Sequence, residues 1–226
     1  AHLVLTAAHL VLTAAHLVLT AAHLVPTAAH LVPTAAHLMP TTAHLVPTAA
    51  HLVHTASVLI LASLGSSQGG DVTWLAPYWE PLVVPWGDFL IELLPFPGTQ
   101  LSTDDFDGVL YNATNLALKG VAAIAAYGYL TEAYTGNASA AQAIYATAAS
   151  YAGTMVQYSW FSAGNDSHFM IGYAGSQGDG GDPTSWPMLY NALWLRILGF
   201  DNLLPQQSLY LGAMETWYAA NQMHTC

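Results

Sequence analysis

Charge divides this chain of 226 residues more sharply than any other property. Residues 1–56 contain no Asp, Glu, Lys or Arg, so all 13 acids and both bases, Lys119 and Arg196, fall in residues 57–226. A segment with no charge has little with which to keep one side in water, whereas scattered charge allows a core and a surface to separate. The division predicts two regions: an unpacked repeat at 1–56 and a domain at 57–226. The 170 residues of the second region are enough to bury a core.

The first region is eight heptads. AHLVLTA occurs three times and is followed by AHLVPTA twice, AHLMPTT, AHLVPTA and AHLVHTA. Near-identity points to tandem duplication rather than a solenoid, whose longer units each bury a face. A coiled coil needs an apolar seam between charged flanks, and this unit has no charge. Pro26, Pro33, Pro40 and Pro47 would each cost a continuous helix about 3 kcal/mol. Residues 1–25 are long enough to cross a membrane, but they carry His2, His9, His16 and His23 and no flanking Lys or Arg, which argues against a span. Histidines seven apart on a helix stand about 10 Å from one another, too far to share one ion. The expectation for 1–56 is helical and extended pieces without a packed fold.

A formal charge of −11 with two bases excludes a nucleic-acid partner, since little here could neutralise phosphates. The same balance suits a secreted protein. Cys226 is the only cysteine, so no intrachain disulfide forms. Asn112-Ala113-Thr114, Asn137-Ala138-Ser139 and Asn165-Asp166-Ser167 are acceptor sequences for N-linked glycan. No basic stretch precedes an apolar run at the start, so secretion would need a signal outside this sequence. No His/Cys metal cluster and no cofactor motif is present. The loop 175–182 (GSQGDGGD) lacks the Lys-Ser/Thr of a phosphate loop and the spacing of an EF-hand.

Residues 57–226 read as helices joined by Gly-rich loops. Val58–Leu64 is apolar throughout, like the end of a buried helix, and Asp71 is a candidate N-cap. Residues 74–94 have helical spacing broken by Pro77, Pro81 and Pro85. Residues 115–134 form the clearest helix, with Gly136 as its C-cap. Residues 138–160 form the next, with a stripe of Ala140, Ile144, Thr147, Tyr151 and Met155. Residues 168–174 are extended, and helices follow over 186–198 and 206–221 with Pro205 at a helix start. Helix after helix with almost no strand signal predicts an all-α fold of stacked helical hairpins.

Chemistry concentrates in residues 100–120, QLSTDDFDGVLYNATNLALKG. In a partly dry cleft the adjacent carboxylates Asp104 and Asp105 would repel, so one would hold its proton and an acid/base pair would form. The competing reading has one carboxylate brace the loop while the other faces water. Asn115 and Lys119 are four apart and share a helix face, where Lys119 either holds a substrate carboxylate or forms a structural ion pair. Trp186, Tyr190 and Asn191 follow a Gly-rich loop, and the two rings either wall a small polar substrate or pack in the core.

TDDF followed by NATNLALKG, together with VLILASL, APYWEPLVVPWGDFLIELLPFPGTQLSTDDFDG and SWPMLYNALWLRILGF, resembles the secreted glutaminase A family of fungi and bacteria. The resemblance covers residues 57–218. It implies part of a six-hairpin α/α toroid, with the family's β-sandwich and first hairpins absent. Pro81 and Pro85 depart from the family pattern. It also implies hydrolysis of L-glutamine to L-glutamate and ammonia, without a cofactor. Asp105 would be acid/base, Asp104 its support, and Asn115, Lys119, Trp186, Tyr190 and Asn191 would line the substrate. Six-hairpin toroids also host glycosidases, which leaves a carbohydrate substrate as the alternative. A truncated product without activity is the third reading.

Overall fold

The computed structural model describes residues 49–101, 109–175, 181–204 and 206–221. Among them lie six α-helices: α1 (Ala49–Gly69), α2 (Val84–Leu93), α3 (Thr114–Thr135), α4 (Ala138–Ser159), α5 (Ala192–Ile197) and α6 (Gln207–Asn221). Four short strands make two antiparallel pairs. β1 (Thr99–Leu101) faces β2 (Val109–Tyr111), and β3 (Trp160–Phe161) faces β4 (His168–Phe169). The fold is all-α, as the helical spacing predicts.

Helix α3 is central because its sequence leaves it no solvent face. From Leu116 to Gly128 every residue is buried except Lys119, which is half-buried. A helix apolar on all sides must be covered on all sides. α4 and α1 supply most of that cover, and α2 and α5 contribute the rest. Small residues let the covering helices approach closely. A Cβ on Gly87 of α2 would collide with the Tyr127 ring of α3, and a Cβ on Gly120 of α3 would collide with Leu94 just past α2.

The α3–α4 turn has the punctuation its sequence predicts. Gly136 takes φ 70°, the left-handed conformation that ends helices, and donates its N–H to Glu132 O. Asn137 Oδ1 accepts the Ala140 N–H at 3.0 Å and caps α4. The buried seam of α4 is Ala141, Ala148, Ala152, Met155 and Ser159. It shares only Met155 with the expected stripe. Alanine allows the α4 backbone to close on α3, so the larger Ile144 and Tyr151 are pushed to the flanks. There the Tyr151 hydroxyl donates to Ile91 O at 2.8 Å.

The expected boundary between 56 and 57 does not separate packed from unpacked chain. The final heptad, residues 50–56, forms the opening turns of α1, with Leu52, Thr55 and Ala56 buried. His54 stands where four earlier copies carry proline, so nothing interrupts the helix after Pro47. Leu52, Ala56, Leu59 and Ser63 continue as one buried stripe at helical spacing. Residues 1–48, where the readings of coiled coil, span and histidine ladder fall, lie outside the described residues.

Prolines shape the next segment as expected. A short 3₁₀ turn (Thr73–Leu75) leads to a π-helical turn (Trp79–Val83) around Pro81, and only then does α2 begin. Asp71 braces this entry rather than capping an α-helix. Its Oδ1 accepts the Thr73 N–H at 2.8 Å and the Thr73 hydroxyl at 2.7 Å, which holds its carboxyl below the usual range. Asp182 makes the same turn with Thr184. The helix expected over 186–198 is shorter, because Pro187 disfavours helical backbone at Trp186 and the Asn191 N–H is taken by another helix.

Gly87→Ala and Gly120→Ala will each lower stability by about 1–3 kcal/mol, because the added methyl overpacks α3. Gly153 lies in α4 with open space around its Cβ position. Gly153→Ala will therefore raise stability by about 0.5–1 kcal/mol. Urea unfolding of the three variants tests the close packing around α3, and a neutral Gly87→Ala would refute it.

Candidate functional site

The start of α3 is where distant pieces of chain are tied together. Asn112 takes φ 51°, a left-handed backbone that asparagine tolerates better than most residues. Its N–H donates to Gly98 O at 2.8 Å, and its Oδ1 accepts the Gly98 N–H at 2.9 Å. Its carbonyl accepts the Tyr173 N–H at 3.2 Å. One buried asparagine thus closes the base of the β1–β2 pair and joins it to the segment after β4. The next residues continue that seam. Ala113 bridges Gly172, Thr114 donates its N–H to Ile171 O at 2.9 Å, and its hydroxyl donates to Met170 O at 2.6 Å. Ser185 extends the seam by accepting the Ile171 N–H at 3.2 Å.

The second tie is a pair of asparagines. Asn191 donates its backbone N–H to Asn115 Oδ1 at 3.2 Å and its Nδ2 to Asn115 O at 3.0 Å. Both residues are buried. Their amides satisfy each other's backbone between α3 and the start of α5, where an unmet polar group would be costly. This places two sequence-predicted substrate residues together, as a strut.

Lys119 stands one turn beyond Asn115 on the same helix. It is the one residue of the Leu116–Gly128 run that is not fully buried. Among the described residues no carboxylate lies within ion-pair distance of it. Burial alone lowers its ammonium pKa from the usual lysine value. The group is charged, poorly hydrated and uncompensated by its described neighbours. An anion brought to it would recover interaction energy that water no longer supplies.

The aromatic candidates separate. The Trp186 ring meets Tyr218 edge-on at 5.5 Å and lies 6.2 Å from Trp217. The Tyr218 hydroxyl donates to Pro187 O, which fixes this segment to α6. Trp186 is thus part of a packed cluster. Tyr190 is 48% exposed. His168, isolated in sequence, is buried beside the same cluster and stacks on Trp217 at 4.4 Å. Its Nδ1 lies 2.6 Å from Asp166 O, and its Nε2 has no hydrogen-bond partner among the described residues. In sequence it is isolated, with no Ser or Cys motif for it to activate, and a lone histidine shows no partner until strands and helices are assembled. Asn112 carried a signal as a glycan acceptor sequence but none as a tie.

Asp104 and Asp105 fall in residues 102–108, between β1 and β2, and lie outside the described residues. So do Asp179 and Pro205. Of the glycan acceptors, Asn112 is buried, Asn137 is exposed at the α3–α4 turn, and Asn165 lies in a short 3₁₀ turn (Gly164–Asp166). Among the described residues no group of His, Cys, Asp and Glu is placed to hold a metal ion. Among them also, no helix is long and apolar enough to cross a membrane.

Comparison with known proteins agrees with this helical frame. The family described as the glutaminase A six helical-hairpin domain matches residues 41–225, starting within the repeat. Glutaminase A of Aspergillus oryzae (strain ATCC 42149 / RIB 40) is 31% identical over 149 residues, which cover 66% of this chain and 20% of that protein. The chain therefore spans about a fifth of the length of that curated relative. No solved structure matches. With a match that runs from the last heptads to the final helix, the chain belongs to the glutaminase A six helical-hairpin family.

Proposed function

We propose that this chain acts on L-glutamine, hydrolysing its side-chain amide to give L-glutamate and ammonia. The observation that carries the reading is membership of the glutaminase A family across residues 41–225. Lys119 supports it: a poorly hydrated cation without a described carboxylate partner suits the α-carboxylate of an amino acid. In this reading the Asp105 carboxylate takes a proton from water as it attacks the amide carbon. The carbonyl oxygen gains negative charge in the tetrahedral intermediate. The protonated Asp105 then returns the proton to the departing nitrogen, and ammonia leaves. Asp104 raises the basicity of its neighbour through like-charge repulsion. Tyr190 borders the substrate, whereas Asn115, Asn191 and Trp186 act indirectly by fixing the start of α3 and the segment before α5. The family's secreted setting is part of the same proposal.

Incubating the full chain with glutamine and measuring ammonia and glutamate together tests the reaction. Asp105→Asn should abolish release of both, and a chain that yields neither product overturns the reading. Lys119→Met should lower kcat/KM for glutamine by at least about tenfold, the scale of one lost charge-assisted contact. Its stability should move the other way. Because the folded pKa lies below the unfolded value, the folded state binds this proton less well, and stability rises with pH through that window. Lys119→Met should therefore unfold at the same or a higher temperature at neutral pH. Asn115→Ala should do the opposite, costing about 1–3 kcal/mol by leaving the Asn191 N–H unmet. Thermal melts of the two variants side by side check this contrast.

A further inference from the structure

We infer that Asn137 is an N-linked glycosylation site that the fold keeps open, and that the fold closes the same chemistry at Asn112. The two acceptor sequences look equivalent as sequence but sit in opposite environments. Asn112 is 6% exposed and its Oδ1 holds the Gly98 N–H. The threonine of its acceptor sequence, Thr114, is fully buried and donates to Met170 O. A sugar on Asn112 Nδ2 would have to occupy the seam that joins β2 to the segment after β4. Folding and modification at Asn112 exclude one another.

Asn137 is exposed in a two-residue turn, and Ser139 of its acceptor sequence is exposed in the first turn of α4. Its cap to Ala140 uses Oδ1. Glycosylation changes only Nδ2. That nitrogen attacks the anomeric carbon of an oligosaccharide carried on a polyprenyl diphosphate, the carbon–oxygen bond to the diphosphate breaks, and the polyprenyl diphosphate leaves as Nδ2 gives up one proton. The amide carbonyl remains an acceptor, so the helix cap survives the modification. The position also leaves the candidate site free. Asn137 lies beyond the far end of α3 from Asn115, and a 22-residue helix is about 33 Å long at about 1.5 Å per residue.

The test is to express the full chain behind a cleavable secretion signal in yeast and to collect luminal and secreted protein. Removing glycans with an amidase that converts the modified Asn to Asp, then mapping peptides by mass, reads each site. Most Asn137 should be converted, while Asn112 in the soluble, protease-resistant fraction should not be. Ser139→Ala should abolish conversion at Asn137. In unglycosylated protein made in bacteria, Ser139→Ala should melt like the parent, whereas Asn137→Ala should melt earlier through loss of the cap. Unmodified Asn137 in luminal protein, or glycan on Asn112 in the protease-resistant fraction, would overturn the inference.

Discussion

Burial of α3 on every side from Leu116 to Gly128, with Lys119 as the exception, is the constraint on which the described structure depends. Its Ala- and Gly-rich run offers no polar face, so four other helices are drawn against it. Small residues make two of these contacts close: Gly87 and Gly120 toward α2, and Gly128 with the alanine seam of α4 on another side. Tight packing of this kind has little slack, because interiors pack like organic crystals. It also extends into the repeat. The last heptad contributes Leu52 and Ala56 to the core that α3 shares.

The same burial gives the candidate site its character. A lysine inside an otherwise apolar helix loses water without gaining a described carboxylate, which is unfavourable for folding alone. A chain with only two basic residues places one of them here. Around it the polar groups are satisfied in pairs. Asn112 answers Gly98, Asn115 answers Asn191, and Thr114 answers Met170 and Ile171. These ties join segments up to 76 residues apart, so the start of α3 is a rigid junction built from both halves of the domain.

Much of the fold was legible in the sequence. Gly136 and Asn137 marked the α3–α4 turn, the prolines at 81 and 85 marked the broken entry to α2, and the helical spacing predicted an all-α chain. The misreadings have specific causes. Pro187 and the Asn115–Asn191 pair shortened the helix at 186–198, and His54 in place of proline moved the first helix into the repeat. Helical spacing allowed more than one stripe on α4, and closeness to α3 selected the one rich in alanine. The site was less legible. Asn115, Lys119 and Asn191 were singled out by residue type, but type alone did not separate a strut from a cation with no carboxylate partner among the described residues.

The sequence by itself determined where helices stop, which helix is the clearest and which family the chain resembles. Those properties follow from local dihedral preference and the periodicity of apolar residues, both written along the chain. Only the tertiary structure decided which asparagine is a tie, which stands exposed at a turn and which lysine is left without a described carboxylate. Burial and hydrogen-bond partners are set by residues distant in sequence, so the similar sequences at Asn112 and Asn137 stand in opposite environments.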